Sequence, residues 1–382
     1  MARLPFALRR PYLLCRDLLV DRERPDLGRL RRVEHPEAFV WAVLPHAART
    51  FSACIALLPA ATALPAAVAY LYCRMLDTYE DLVPDPAARD EALRAFAERL
   101  DAGLEGAAVA PAPPIEESTD RDERDRAHLL LVERCALVDR VFLGFRPEVR
   151  AAVRDLVRDM SEGMRWSSAT FERQGSVLRG EEQLAAYCRH VLGNPVLFTV
   201  RVLRLHATGC DDLAPDEREA SMRVGELIQL ANVTRDIEKD LARGVAYHAS
   251  LAGDLRQAPE GDPARIERCR AVRAELLRMA LLRAPSYRNM VDAMRLPAVS
   301  LARASAVLML LFTDRYYRSC AARAGLPSWP GPRGTTALLL RSFPATWSRA
   351  WAHRQFARVE RAFAAAADHS RTARPTGPRA RS

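Results

Sequence analysis

Apolar positions recur at helical spacing along most of this 382-residue chain. Leu93, Phe96, Ala97 and Leu100 fall at i, i+3, i+4 and i+7, which predicts a helix across 88–101 with one apolar stripe. After Pro147, a good first-turn residue, Val149, Val153, Leu156, Met160 and Met164 share one face with arginines and acids opposite. A run from Thr50 to Cys73 carries no charge at all, yet Pro59 and Pro65 interrupt it and its eight alanines keep its hydropathy modest. It reads as two buried helices with a proline-marked turn between them rather than as a membrane span. Stretches at 106–125, 209–215, 252–263 and 325–334, rich in Pro, Gly or Asp, separate the periodic segments and predict loops.

Runs at strand spacing are missing, and Ala, Leu and Arg are abundant, so the chain is expected to be all-α. The expected organisation is an N-terminal extension over 1–37, a single large helical domain over 38–322, a C-terminal helical segment over 323–369 and a disordered basic tail over 370–382. No repeat at solenoid periods is visible. The eight cysteines are scattered with no Cys-x-x-Cys pair, which predicts reduced thiols, and the eight histidines form no metal-like spacing.

Two acidic clusters break the apolar pattern. Asp77-Thr78-Tyr79-Glu80-Asp81 follows the uncharged run, and Asn232 to Asp240 follows Leu227-Ile228-Gln229-Leu230-Ala231. Each places two aspartates four residues apart, and in a helix such positions stand roughly 40° apart on one face. A single Asp-x-x-x-Asp is usually a solvated helix face. Two copies inside apolar segments, where like charges repel, point instead to a divalent cation, and hard oxygen ligands of this kind suit Mg²⁺ bridging to phosphates.

These residues also carry a likeness. Ala48-Arg49-Thr50-Phe51 with Leu57-Leu58-Pro59, Tyr70 to Asp81, Gly163-Met164, then Tyr187-Cys188 with Val191 and Gly193, and finally Gln229, Leu230, Asn232, Arg235, Asp236, Asp240, Arg243, Gly244 and Tyr247 stand in the order of the squalene/phytoene synthase motifs. The chain resembles that family from about residue 38 to about 320. The resemblance implies a helical bundle of the isoprenoid synthase type with a central cavity. It further implies head-to-head joining of two prenyl diphosphates, farnesyl or geranylgeranyl, to a linear thirty- or forty-carbon isoprenoid through a cyclopropyl diphosphate. On this reading Asp77, Glu80, Asp81, Asp236 and Asp240 hold Mg²⁺, and Arg49, Arg74, Gln229, Asn232, Arg235 and Arg243 bind diphosphate. Tyr70, Tyr187 and Tyr247 join the aspartates as catalytic candidates. NADPH would enter only if the product is squalene.

The pattern is not followed everywhere. Lys239 stands where the family usually has Glu, and Leu192 replaces a small residue before Gly193. Rival readings are another Mg²⁺-dependent terpene synthase or prenyltransferase, and a non-catalytic helical relative serving as an assembly partner. The net charge of +9 fits anionic substrates. Its arginines are spread among acids with no nucleic-acid motif, so nucleic acid is not expected as a partner. No export signal is apparent, so the expected location is cytoplasmic, with peripheral membrane contact through 345–363 as an option. There Trp347, Trp351, Phe356, Val359 and Phe363 alternate with arginines, although a helix packed on the bundle would look the same. Oligomeric state is not legible.

Overall fold

The computed structural model describes residues 5–372, except 23, 49, 117–120 and 256–260. The first half of the chain forms α1 (Phe6–Leu19), α2 (Leu27–Arg31), α3 (Pro36–Ala48), α4 (Thr50–Ala56), α5 (Ala60–Leu82), α6 (Pro86–Glu98), α7 (Asp101–Leu104), α8 (Glu123–Glu133), α9 (Cys135–Leu143) and α10 (Pro147–Gln174). The second forms α11 (Glu181–Cys188), α12 (Asn194–Thr208), α13 (Pro215–Ala242), α14 (Pro263–Leu281), α15 (Ser286–Ala293), α16 (Leu301–Arg323), α17 (Thr335–Ser342) and α18 (Arg349–Thr372). Among the described residues the only departure from helices and loops is one isolated parallel bridge, Val177 to Ala246. The expected all-α class is what the chain adopts.

Local chemistry sets many of the boundaries. Prolines at 86, 147, 215 and 263 occupy the first turns of α6, α10, α13 and α14, where their missing N–H removes nothing. Asp85 and Asp122 cap α6 and α8 by accepting from Ala88 and Asp125 N–H. The uncharged run does divide in two: α4 ends at Ala56, Pro59 caps α5, and Pro65 rides inside α5. Leu93, Phe96, Ala97 and Leu100 are buried as their spacing requires, and so are Val149, Val153, Leu156, Met160 and Met164.

The helix α5 runs through the core with Leu71, Tyr72, Met75, Leu76 and Tyr79 wholly buried. It packs against α3, α6, α8 and α10, while α13 packs against α12, α14, α15 and α16. Between them stand α10 and α12, which touch each other; α12 also reaches both α5 and α13. The helices bearing the two acidic clusters are thus held by a shared wall. A buried polar knot fastens the first of them: Tyr72 donates to Asp139 at 2.8 Å, and Arg99 pairs with the same carboxylate at 3.0 Å.

The turn at 189–193 is wound as a single π turn, and it lets two backbones meet. A Cβ on Gly225 of α13 would fall 2.3 Å from the Gly193 Cα. Only glycine fits at that crossing, so Gly193 is a packing residue and Gly225 is its unrecognised partner.

At the C-terminal end Phe356, Val359 and Phe363 are buried in the bundle, with Phe363 edge-on to Tyr317 at 5.4 Å. Of the apolar residues flagged in 345–363, Trp347 alone is strongly exposed, at 66%. The helical face of this segment is therefore spent on packing. The expected disordered tail falls, from 373 onward, outside the described residues. Among the described residues no helix is long and apolar enough to cross a membrane.

Candidate functional site

The last two turns of α5 present the first cluster. Arg74 pairs with Asp77 at 3.0 Å, one turn further on, and also donates to the Tyr70 hydroxyl at 3.3 Å. Its Nε is buried without a hydrogen-bond partner among the described residues. Burial raises Asp77 from 3.8 to about 6, with Arg74 opposing and Asp81 adding to the rise. Glu80 goes further, from 4.5 to about 8, through burial first and then repulsion from Asp77 and Asp81; Ser167 of α10 donates to it at 3.4 Å. Asp77 still keeps a quarter of its side chain open to solvent, and Asp81 stands exposed at the rim. Both are reachable from solvent, so the cluster is not sealed in the core.

The last turns of α13 present the second. Arg235 lies along its neighbour Asp236, donating from Nε at 2.8 Å, and sits 5.1 Å over the Tyr316 ring. Asp240 rises from 3.8 to about 7 because burial and Asp236 outweigh the pull of Arg243, Lys239 and Arg235. Asn232 donates to Gln229 at 3.0 Å, one turn before the aspartates. Lys239 is exposed and Arg243 lies at the surface just beyond the helix. Glu238 turns elsewhere, to Arg273 at 2.6 Å and Arg323 at 2.7 Å, and takes no part.

Beyond α13 the chain folds back over both clusters. Gly244 adopts φ +80, a left-handed turn that suits glycine, and Val245 N–H then bonds the Asp240 carbonyl at 2.9 Å. The Val177 to Ala246 bridge anchors the returning strand of chain on the end of α10. Tyr247 is thereby brought to Tyr187, hydroxyl to hydroxyl at 3.0 Å, with Phe171 edge-on at 5.8 Å. Tyr247 is the hinge of the arrangement: its hydroxyl is held well above the ordinary tyrosine range by burial, by Asp240 of α13 and by Glu80 of α5. Asp125, on α8, is raised by burial first and then by Asp122 and Asp81, with Arg124 and Arg243 opposing. The two acidic clusters therefore share the neighbours Tyr247 and Asp125.

Of the described sequence candidates, Arg74 meets Asp77, Arg235 meets Asp236, and Tyr187 meets Tyr247. Tyr70 reaches Asp77 through Arg74 and stacks on Phe51 at 5.7 Å, and Gln229 accepts from Asn232. Arg49 lies outside the described residues. Sequence reasoning missed Arg124, whose charge acts on Asp77, and Arg89, which acts on Glu80, together with Asp125 and Ser167. None of these sits in a motif of its own; the fold alone collects them. Among the described residues no group of three or more His, Cys, Asp or Glu is placed to hold a metal ion by itself. The donors are divided between two walls, with arginine on each, an arrangement whose gap a cation and an anionic substrate can fill together.

The protein-family model described as squalene/phytoene synthase matches residues 44–329. Among solved structures, two ligand complexes of TcSQS are similar to this chain. One has TM-score 0.65 and 15% identity over 89% of this chain and 100% of that one; the other has 0.66 and 14% over 88% and 98%. The squalene synthase HpnC from Alicyclobacillus acidocaldarius superposes with a TM-score of 0.48 at 19% identity, over 80% of this chain and 100% of that one. No curated protein matched the sequence.

Proposed function

The chain belongs to the squalene/phytoene synthase family of prenyltransferases, which join prenyl diphosphates head to head, and we propose that it does so in the cleft between α5 and α13 with Mg²⁺. The observation that carries this reading is the family match over residues 44–329, beside which stands the hydroxyl contact of Tyr187 and Tyr247 at 3.0 Å. Carboxylates gathered where burial raises them call for a cation, and the arginines beside them call for an anion.

The oxygen donors present fit Mg²⁺. Asp77, Glu80 and Asp81 would hold it from α5, and Asp236 and Asp240 from α13, with water and diphosphate oxygens completing the shell. Bound there, the ion neutralises charge on the departing pyrophosphate. Arg74 and Arg235 each already carry one carboxylate and can turn a guanidinium edge to phosphate; Arg243 stands at the rim, and Arg49 is assigned to the same task by the family motif. Asn232, positioned by Gln229, supplies a further polar group one turn away.

The first half-reaction breaks the C–O bond of one allylic diphosphate, and pyrophosphate leaves with the electron pair. The double bond of the second substrate attacks the allylic cation, a proton departs, and a cyclopropyl diphosphate results. A second ionisation releases the remaining pyrophosphate, the cation rearranges, and loss of a proton, or capture of hydride from NADPH where squalene is the product, would leave the linear chain of thirty or forty carbons. Tyr187, Tyr247 and Tyr70 provide ring faces and poorly ionising hydroxyls, which suit a cationic intermediate because they stay neutral. Incubating the protein with farnesyl or geranylgeranyl diphosphate and Mg²⁺, and identifying products by mass spectrometry, tests the reading. Head-to-tail or cyclised products would refute it, and so would untouched substrate.

A further inference from the structure

A second cleft, of about 290 Å³, opens far from the acidic site, lined by Asp292, Arg295, Leu296, Arg303, Arg349 and Phe356 among others. Arg295 pairs with Glu217 in the first turn of α13 at 3.2 Å. Nineteen residues separate Glu217 from Asp236, so the cleft lies roughly 28 Å along that helix from the catalytic cluster.

Its charge is unbalanced. Arg303 is buried at 4% exposure, and its guanidinium donates to three backbone carbonyls, Ala298 at 2.9 Å, Ala345 at 3.3 Å and Pro297. Among the described residues no carboxylate pairs with it. Burial and the neighbouring Arg349 hold its pKa below the usual arginine value. Arg349 shares Asp292 with His353, at 3.0 and 4.0 Å, and Glu217 is already held by Arg204 at 2.6 Å. Among the residues that line the cleft, Arg295, Arg303 and Arg349 stand against the single carboxylate of Asp292. Arg295 is also held at φ +51, a backbone position that a side chain of this kind rarely takes.

Bare apolar side chains stand close by in the chain. Ser300 N–H bonds the Thr346 carbonyl at 2.9 Å, which ties together the segments that carry Val299 and Trp347, at 61% and 66% exposure. Trp347 is two residues from Arg349. A tryptophan beside surplus arginine and a short apolar neighbour is the chemistry of the lipid headgroup level, where an indole sits half wet and guanidinium meets phosphate.

We infer that this cleft receives the phosphate of an anionic phospholipid headgroup, with Trp347 and Val299 entering the interface, so that the protein docks on membranes through this end of the bundle. The contact is made by this corner and not by the buried aromatic face of α18.

The test uses the full chain in sedimentation with vesicles of phosphatidylcholine alone, and of phosphatidylcholine with about a third phosphatidylglycerol, at low ionic strength. The protein should sediment with the anionic vesicles, and Arg349→Glu should lower the partition coefficient about tenfold, on the scale of about fivefold per surface arginine. Trp347→Ala should lower it several-fold. Both residues are exposed, so both variants should keep the parent circular dichroism, and both should keep turnover on detergent-dispersed substrate, which separates docking from catalysis. Equal binding to both vesicle types would overturn the inference, and so would partition unchanged in both variants, or saturable binding of inorganic phosphate by a protein that ignores vesicles.

Discussion

The acidic ends of α5 and α13 look alike in sequence and differ in what surrounds them. On α5 all three carboxylates stay with the cleft, and the innermost, Glu80, is raised to about 8 because protein encloses it and two aspartates flank it. On α13 the third carboxylate, Glu238, is drawn away by Arg273 and Arg323, and the residue beside Asp240 is an exposed lysine. The α5 wall is a dense negative site that needs a cation. The α13 wall is a mixed site, half acid and half base, better matched to a cation that arrives with diphosphate. Identical spacing therefore does not make identical ligands; the neighbouring helices decide how many carboxylates each wall can spare.

The largest effect should come from removing one aspartate on either wall. Asp77→Ala and Asp236→Ala should each cut turnover by about two orders of magnitude or more while circular dichroism stays that of the parent, since deleting one of two like charges does not weaken a helix. If Asp236→Ala kept near-normal turnover, the α13 wall would lose its place in the site and the comparison would fail.

The pH dependence of stability should separate the walls next. Glu80, Asp240 and Asp77, raised to about 8, 7 and 6, still hold protons in the folded state at pH values where the unfolded chain has released them. Folding then binds protons, so without Mg²⁺ the Tm should be highest near pH 4–5 and fall as pH rises toward 8. Glu80→Gln on one wall and Asp240→Asn on the other should each flatten that slope. Saturating Mg²⁺ should flatten it in the parent by taking the protons' place. A parent Tm that climbs between pH 5 and 8 in a chelating buffer would contradict the burial of these carboxylates.

The smallest change should come from Lys239→Glu. If the lysine only stands where an acid would serve, the swap leaves KM within about twofold and sharpens the response to Mg²⁺; if it grips diphosphate, KM rises with the metal response unchanged. Its exposure favours the first outcome, and initial rates over a Mg²⁺ series decide between them.

Much of this protein was legible in one dimension. Periodicity, prolines at helix starts and an uncharged run split by Pro59 determined the helices and the all-α class, because those signals act within a turn or two of chain. Paired carboxylates within apolar segments marked both ends of the site for the same reason. The tertiary structure alone decided the rest. That Glu238 leaves the site for Arg273 and Arg323, that Arg124, Asp125 and Ser167 join it, and that Gly225 must be glycine to meet Gly193 all depend on residues dozens of positions apart. The aromatic and arginine mix of 345–363 fits a packed helix and an interfacial one equally well in sequence. Only the presence of Tyr317 and Tyr287 beside Phe363 and Phe356 turned that face inward, leaving Trp347 outside. Spacing fixes which side chains share a face, but the partner that face meets is chosen by the packing of the whole bundle.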